Sequence, residues 1–352
     1  MQKPLSCPAL FTLVLSAVLL LPGCPLGPGP EGPVGEVVLL SYNVCNLFDD
    51  REDGTEYPEF VPGGAWTSGD YRRRLEAVGK VIRETVPGGP DFVALMEVEN
   101  SRVLTDLRNG PLRSLGYRVI LTPPPEGLAV RVGVLTRLPV AEARSHLPAQ
   151  AGHRQRPILE VRLEREGTGL TVFVCHFKSK TQGAAKTEES RVLAAAAVGK
   201  RMAELLREDP GADIVVLGDL NENADEYART GGAYATALMP PGAAHPVRGF
   251  LVTGIPPPLP PEGGKVLLYS PWLDDPPAPG SYLHRGVWET IDHALLSPGL
   301  FDPRGAFFRR FSVGGPDFLF QDDGSPNRDY SDHLPLTVTL DWGEAPSAAG
   351  RR

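Results

Sequence analysis

The sequence predicts an α/β fold in which two packed β-sheets are flanked by helices. Short runs rich in Val, Leu and Ile recur along the chain, and each has the length of a strand and ends at turn residues. Between them lie a few longer stretches with the spacing or composition of helices. The chain has 352 residues and no evident internal repeat, so one large domain accounts for this pattern.

The predicted strands are four to seven residues long and are spread over most of the chain. Apolar runs of this length, bounded by turn residues, are typical of buried strands. They are Val37–Tyr42, Phe92–Met96, Tyr117–Leu121, Val132–Leu135, Ile158–Leu163, Leu170–Val174, Ile214–Leu217 and Leu334–Leu340.

Three stretches are predicted to be helices. In the first, Leu75, Val78 and Ile82 form an apolar stripe at helical spacing. The second has Asn100 as its predicted N-cap, and the third is rich in Ala with Thr187 as its candidate cap. The stretches are Asp70–Glu84, Ser101–Arg108 and Glu188–Arg207.

Gly and Pro are frequent, with 39 and 37 residues, but the Pro residues cluster and so indicate loops between packed elements. The segment 240–283 is rich in both, and we expect it to be a long surface insertion. The folded domain is predicted to span 36–345, with a disordered tail over 346–352. This composition excludes collagen, a coiled coil and a multi-span membrane protein.

The N-terminus has the features of an export signal. After Lys3, the run Ala9–Leu21 is almost entirely apolar, but it is shorter than the roughly 20 residues that span a bilayer. The sequence LPGC that follows resembles the lipobox of bacterial lipoproteins, in which the Cys is lipidated, and here that residue is Cys24. We therefore predict a signal peptide over 1–23 and a Pro/Gly-rich tether over 24–35. The alternative is an ordinary cleaved signal with an incidental Cys.

These features predict an exported bacterial lipoprotein, anchored to a membrane in the periplasm or at the cell surface. The chain carries 35 Lys and Arg against 43 Asp and Glu, a net charge of -8. This balance argues against a surface that binds nucleic acid by charge alone. Only Cys45 and Cys175 remain in the predicted domain, and we expect both to be unpaired rather than joined in a disulfide.

Polar residues follow or interrupt the apolar runs at six places. A charged side chain at the end of a buried strand must be solvated, paired or bound to a metal, because burying it alone costs several kcal/mol. One such residue is usually an ordinary surface position, but six sets point to a common site. They are Asn43, Glu97, His176, Asp219 with Asn221, Asp292, and Asp332 with His333.

These residue types suit metal-assisted hydrolysis of a phosphate ester. Carboxylate oxygens are preferred by hard cations such as Mg²⁺. The sequence has no HExxH motif and no Cys cluster, which disfavours zinc. It also lacks a GxxxxGK[ST] loop and a GxSxG elbow, which disfavours a nucleotide-driven motor and a serine hydrolase.

The order of these residues resembles the endonuclease/exonuclease/phosphatase superfamily. Its members include pancreatic-type deoxyribonucleases, exonuclease III-type repair enzymes, inositol-polyphosphate 5-phosphatases and bacterial sphingomyelinases. The resemblance extends from about Val37 to Leu340 and is carried by the G-D-x-N and S-D-H clusters. The segments NLFDD, HFKSK and SYLHRGVWETIDHALLS resemble a branch of secreted bacterial members.

The resemblance implies a four-layer α/β/β/α sandwich of two mixed sheets flanked by helices, with the site at one end of the sheets. It implies that Glu97 is the main ligand of Mg²⁺, with Mn²⁺ or Ca²⁺ as alternatives. Asn43 is implied as a second ligand. Asp332 is implied to lie near the metal, where it could bind a second ion.

The resemblance also assigns catalytic roles. Asp219 is implied to orient and deprotonate the attacking water, while Asn221 holds a phosphate oxygen or positions Asp219. His176 and His333 are implied to donate hydrogen bonds to the phosphate oxygens. Asp292 is implied to pair with His333 and to favour its charged form.

The substrate is less constrained by the sequence. Lys178, Lys180 and Arg285 are candidate substrate contacts, although both lysines could equally be solvated. Glu99 occupies a position where deoxyribonuclease-type members often carry a basic residue, which disfavours tight contact with a DNA backbone.

We therefore expect a monomeric extracytoplasmic nuclease. The alternative is a phosphatase or a phospholipase-type phosphodiesterase that acts on a small phosphoester or a lipid headgroup. A binding lipoprotein that has lost catalysis is a third reading, and the presence of every proposed catalytic residue counts against it. A wide basic groove at the site would favour a polymeric substrate, whereas a narrow pocket would favour a small headgroup.

Overall fold

The computed structural model describes residues 35–150, 152, 154–259, 266–302 and 304–343. The predicted signal peptide, Cys24, nearly all of the tether and the predicted tail lie outside these residues. No helix in the described part of the chain is both long enough and apolar enough to cross a membrane.

The described residues form four α-helices and sixteen strands. The helices are α1 (Ser68–Thr85), α2 (Ser101–Asn109), α3 (Ala184–Glu208) and the single-turn α4 (Glu226–Arg229). The strands are β1 (Glu36–Leu47), β2 (Phe92–Val98), β3 (Val119–Leu121), β4 (Arg131–Thr136), β5 (Val140–His146), β6 (Ile158–Arg165), β7 (Thr168–His176), β8 (Asp213–Asp219), β9 (Leu238–Met239), β10 (Phe250–Thr253), β11 (Leu267–Tyr269), β12 (Tyr282–His284), β13 (Val287–Glu289), β14 (Asp292–Leu296), β15 (Ala306–Val313) and β16 (Leu336–Trp342).

Two large mixed sheets carry the fold. The first has six strands in the order β15-β16-β1-β2-β4-β3, with β1 parallel to β2. The second has eight strands in the order β5-β6-β7-β8-β14-β11-β10-β9, with β7 parallel to β8. Because the carboxyl ends of two parallel strands lie at the same edge, each sheet brings two chain segments together at one end of the sandwich.

The sheets pack face to face and each is covered by helices on its outer face. Apolar side chains of both sheets, such as Leu39 of β1 and Val215 of β8, form one buried cluster between them. Leu40 of β1 belongs to a second cluster with α1 and α2, and Val216 of β8 belongs to a third with α3. Successive side chains of a strand point to opposite faces, so each strand packs against the other sheet on one face and against helices on the other. This arrangement confirms the predicted four-layer α/β/β/α sandwich.

One of the two predicted helix N-caps is confirmed and the other is wrong. Asn100 caps α2 as predicted, since its Oδ1 accepts hydrogen bonds from the backbone N–H groups of Arg102 and Val103. Thr187 does not cap α3, because the helix begins earlier, at Ala184. The hydroxyl of Thr187 instead donates a hydrogen bond to the backbone oxygen of Gly183 within the first turn. Cys45 and Cys175 are free, as expected.

The segment 240–283 is not only a surface insertion. Its two short strands β10 and β11 extend the eight-stranded sheet, and Phe250 is fully buried against α3. The Pro and Gly residues in the described part of this segment lie outside β10 and β11. The segment ends in β12, which pairs with β13 to form a separate hairpin that we call the β12–β13 hairpin.

Candidate active site

The predicted site residues meet where the carboxyl ends of the central strands converge. In the eight-stranded sheet, His176 on β7 pairs in register with Asp219 on β8. Asp219 pairs in turn with Asp292 at the start of β14. From the other sheet, the amide of Asn43 on β1 reaches Asp219, at 3.1 Å from Nδ2 to Oδ2. One end of the sandwich therefore assembles residues that are far apart in sequence.

The backbone is irregular where these side chains are presented. The pairing of β1 with β2 shifts register between Asn43 and Leu47, and the pairing of β2 with β4 shifts between Leu95 and Val98. Glu97 lies in the second irregularity with a φ of 66°. Such a conformation is strained for a residue other than Gly, and strain of this kind clusters at functional sites.

Gly218 is required by the close approach of β7 to β8. Its φ is 131°, and a Cβ at this position would lie 2.0 Å from the backbone oxygen of Cys175. No side chain fits in that space. The Gly of the G-D-x-N cluster therefore sets the distance at which Asp219 is held beside β7.

Asp219 lies at the centre of the site and is almost completely buried. Its Oδ1 accepts a hydrogen bond from the backbone N–H of Asn221 at 2.8 Å, and its Oδ2 accepts the one from Asn43. Burial, and then the charge of Asp292, raise the pKa of Asp219 to about 7. A carboxylate with a pKa near neutral suits a general base.

Asn221 contacts Asp219 through its backbone, whereas its side chain contacts the backbone just after β7. Its backbone N–H fixes Asp219, and its Nδ2 donates to the backbone oxygen of Phe177 at 3.3 Å. Like Glu97, it has a positive φ, here 51°. Asn221 therefore positions Asp219.

His333 and Asp292 form the predicted pair. Nδ1 of His333 lies 2.8 Å from Oδ2 of Asp292, and Oγ of Ser281 donates to the same oxygen at 2.6 Å. Burial would lower the pKa of His333, but the charge of Asp292 outweighs it and raises the pKa to about 10. His333 is therefore charged at neutral pH, and with Nδ1 donating to Asp292 its Nε2–H remains available to a substrate.

His176 is neutral. Burial, followed by the charge of Arg156 and of His333, holds the pKa of His176 well below its usual range. Its Nε2 lies 3.6 Å from Oδ2 of Asp219 and 3.8 Å from Oε1 of Glu97, whereas its Nδ1 has no partner within the described residues. A neutral imidazole donates through one nitrogen only.

The acidic residues of the site fit a divalent cation. Glu97, Asp219, Asp292 and Asp332 converge at this end of the sandwich, and only His333 among the site residues described above is charged to oppose them. Glu97 and Asp332 keep contact with solvent, with side chains 20% and 26% exposed. Their carboxylate oxygens are the ligands that hard cations prefer.

Three other side chains of the site form a more closely spaced group that does not include Glu97 or Asp332. Ligand atoms of Asp219, Asp292 and His333 all lie within 4.8 Å of one another, a spacing that could suit a metal. However, the bond from the charged His333 to Asp292 already occupies that group. A cation would compete there with a protonated imidazole, which leaves Glu97 and Asp332, the two partly exposed carboxylates, as the candidate ligands.

The orientation of Asn43 does not support its predicted role as a ligand. Its Oδ1 accepts a hydrogen bond from the backbone N–H of Cys45 at 3.0 Å. Its Nδ2 faces Asp219 and lies 3.5 Å from Oε1 of Glu97. An amide nitrogen does not bind a cation, so in this orientation Asn43 holds Asp219 through a hydrogen bond, and its role as a metal ligand stays a prediction.

Lys180 is not available to a phosphate, contrary to the prediction. Its Nζ lies 2.7 Å from Glu289 and 3.1 Å from Glu226, which balance its charge. Lys178 remains a candidate, since it is half-buried beside His176, and burial, followed by the charge of Arg156, lowers its pKa. Arg285 is exposed at the tip of the β12–β13 hairpin.

Glu99 does not face a substrate. It is fully buried, and its Oε2 accepts a hydrogen bond from the backbone N–H of Asp49, just after β1. Its acidic side chain therefore fixes the NLFDD segment rather than repelling a phosphate backbone. Glu99 therefore does not disfavour contact with a DNA backbone.

The sequence analysis missed Ser281 and Tyr282, which support the catalytic pair. Ser281 contacts Asp292, and the ring of Tyr282 lies 4.6 Å from that of His333, centroid to centroid. Backbone atoms of Tyr282 and His333 also form a β-bridge. The only sequence signal was that both residues lie in the SYLHRGVWETIDHALLS segment, which ends in Asp292 and its strand.

Comparisons with known proteins show the family and the fold. A family model described as Endonuclease/Exonuclease/phosphatase family matches residues 38–241, more than half of the chain. No curated protein matches the sequence.

Solved structures share the fold. An endonuclease/exonuclease/phosphatase family protein from Bacteroides thetaiotaomicron is 16% identical, with a TM-score of 0.53 over 88% of this chain and 98% of that chain. The human Nocturnin catalytic domain with bound sulfate is 13% identical, with a TM-score of 0.52 over 88% and 96%. D. rerio TDP2 complexed with a single-strand DNA product is 16% identical, with a TM-score of 0.52 over 87% and 98%.

Proposed function

Because the chain belongs to the endonuclease/exonuclease/phosphatase family, we propose that it is a Mg²⁺-dependent phosphodiesterase, and specifically a nuclease that acts outside the cytoplasm. One observation carries the proposal. The site holds a buried carboxylate with a pKa of about 7, Asp219, beside a buried imidazole with a pKa of about 10, His333. Near neutral pH the first is available as a base and the second is an acid, as hydrolysis requires.

Asp219 takes a proton from the attacking water. The backbone N–H of Asn221 and the amide of Asn43 each hold one of its oxygens, so the carboxylate cannot rotate away from the water. This fixed orientation removes part of the entropic cost of the reaction.

The two histidines act on the phosphate oxygens. His333 brings a positive charge and a free Nε2–H, while the neutral His176 contributes a single donor. Donors that meet charge as it develops in the transition state typically contribute about 10²–10³-fold in rate each. Asp292 and Ser281 hold His333 in place for this role.

Glu97 and Asp332 would hold the cation. When bound, the cation neutralises the phosphate and stabilises the charge that builds up on its oxygens. Mg²⁺ suits this all-oxygen set best, and Mn²⁺ or Ca²⁺ are the alternatives.

Two findings support nucleic acid as the substrate. A protein of the same fold, D. rerio TDP2, is known in complex with a single-strand DNA product. In addition, Glu99 is buried and so does not obstruct a phosphate backbone. The alternative is a phosphatase or phospholipase-type enzyme that acts on a small phosphoester or a lipid headgroup.

The test is cleavage of supercoiled plasmid by the purified protein with Mg²⁺, with and without EDTA. We expect nicking that EDTA abolishes. We expect Glu97→Gln to reduce turnover by at least about 100-fold and to raise the Mg²⁺ concentration needed for half-maximal rate, because a charged ligand is lost.

Glu99→Gln is the matched control, since it changes the same residue type two positions away and the amide oxygen can still accept the Asp49 bond. Full activity of Glu97→Gln would remove Glu97 from the metal site. Absence of nicking would move the assignment to phosphomonoesters and phospholipids, which should then be assayed with the same preparation.

We also propose that the protein is an exported lipoprotein anchored through Cys24. The support is the apolar run Ala9–Leu21 followed by LPGC. We expect Cys24→Ser to move the protein from the membrane fraction to the soluble fraction of cells that process lipoproteins. Continued fractionation with membranes would contradict the lipidation of Cys24, and wild-type protein in the same cells is the reference.

A further inference from the structure

A small pocket adjoins the active site on the side of His333. It lies between the β12–β13 hairpin and the segment 321–332, has a volume of about 210 Å³, and is lined among others by Arg285, Arg328 and Asp332. Asp332 precedes His333 in the chain, and its Oδ1 lies 3.9 Å from Nε2 of His333. The pocket and the reacting phosphate would therefore share Asp332 as a common wall.

The pocket contains two arginines that the protein itself does not neutralise. Within the described residues, neither Arg285 nor Arg328 forms an ion pair or a hydrogen bond through its side chain. Lys180 provides a contrast, because two carboxylates balance its charge. Neutral hydrogen-bonding groups, on Gln321 and Ser325, complete the polar lining.

The backbone places Arg285 at an unfavourable position. Arg285 and Gly286 are the two central residues of the hairpin turn, with φ of 51° and 80°. Turns of this kind favour Asn-Gly or Asp-Gly, because a longer side chain is strained at positive φ. A strained Arg at the tip of a hairpin that also carries Tyr282 indicates a functional reason for its presence.

The hairpin connects this pocket to catalysis. Tyr282 packs on the ring of His333, and the charge of Arg328 acts on the Tyr282 hydroxyl. A phosphate bound by the two arginines would therefore be the immediate neighbour of the phosphate that His333 contacts. Guanidinium groups bind phosphate through paired hydrogen bonds, and this pairing recognises a phosphate by its shape as well as its charge.

We propose that this arginine pocket binds the phosphate next to the scissile one along a nucleic-acid strand. The inference rests on the proposed function and defines its substrate as a chain of phosphodiesters. The pocket is smaller than the roughly 300–1,000 Å³ of sites that enclose a whole ligand, so it suits one phosphate group rather than a base or a lipid headgroup.

The test uses three trinucleotides of identical length and base sequence, assayed with the full chain and Mg²⁺. One is TpTpT, and the others carry a neutral methylphosphonate in place of one or the other phosphate. Each methylphosphonate trinucleotide keeps one cleavable phosphodiester, and the linkage next to that phosphodiester is uncharged. We expect at least one of them to be cleaved with a kcat/KM about 10–100-fold below that of the same bond in TpTpT, mainly through KM.

The double variant Arg285→Asn/Arg328→Gln should reduce this penalty to less than about threefold, because it lacks the guanidinium groups that bind the neighbouring phosphate. Asn is favoured at the hairpin position, so the turn itself is kept. The matched control is Arg118→Gln, an exposed arginine before the edge strand β3 that does not line the pocket, and it should keep the full penalty.

The outcomes separate the two proposals. Cleavage of all three substrates without a penalty, or a penalty that persists in the double variant, overturns the arginine pocket and leaves the nuclease standing. If the protein cleaves none of the three but hydrolyses phosphomonoesters or phospholipids, the proposed nuclease function fails, and the inference fails with it.

Discussion

Replacement of Asp219 by Asn is expected to lower kcat by about 10²–10⁴-fold, the range that a general base supplies. The amide cannot accept a proton from water, although its oxygen can still accept the backbone bond from Asn221. The wild-type enzyme should also lose activity as the pH falls through about 7, because Asp219 becomes protonated there and ceases to be a base.

Single-turnover rates on an oligonucleotide, measured as a function of pH, would check both statements. Asp213→Asn is the matched control, since Asp213 is a buried carboxylate at the opposite end of β8 whose pKa is also raised to about 7 by burial. An Asp219→Asn variant that keeps activity within tenfold of wild type would show that another group activates the water.

Replacement of Asp292 by Asn is expected to lower kcat by a similar factor of about 10²–10⁴, as loss of the carboxylate behind a catalytic histidine does elsewhere. Asp292 is the main group that keeps the buried His333 charged. Without that charge, burial lowers the pKa of His333 and only the weaker effects of Asp219 and Asp332 oppose it, so a smaller fraction of the imidazole is charged at neutral pH.

The pH profile distinguishes this effect from simple structural damage. Wild-type activity should fall as the pH rises through about 10, where His333 loses its proton. In Asp292→Asn that fall should move to lower pH, because the largest contribution that raises the pKa of His333 is lost. Ser281→Ala removes one hydrogen bond to Asp292 but leaves the charge, so its profile should stay close to wild type. A basic limb that does not move in Asp292→Asn would contradict the pairing.

The sequence was sufficient to predict that the residues at the ends of the central strands meet at one site. Glu97, His176 and Asp219 follow buried apolar runs, and parallel pairing brings such ends to one edge. The orientation of Asn43 was not predictable, because it depends on which of its amide atoms the backbone of Cys45 occupies. A contact of this kind is set by the local irregularity of β1, which has no signature in composition.

Long-range pairing accounts for the difference at Lys180, and weak local patterns account for the strands that were missed. Lys180 is neutralised by Glu289, which lies 109 positions away and reaches it only through the β12–β13 hairpin. Strand β15 was missed because Arg309 and Arg310 interrupt its apolar residues. Strands β10 and β11 were missed because each is only three or four residues long and lies among Pro and Gly.

The antiparallel pairing of β1 with β16 has a consequence for the timing of folding. Val37 is opposite Leu340, so strands from the two ends of the domain are neighbours in the middle of a sheet. Asn43 and His333 belong to these two segments, and no nascent chain can assemble the site before its last strand has been synthesised. Closing so large a loop is also slow. Under the proposed nuclease activity and the proposed export, slow folding would keep the protein inactive for longer before it leaves the cell, which would spare the DNA of the producing cell.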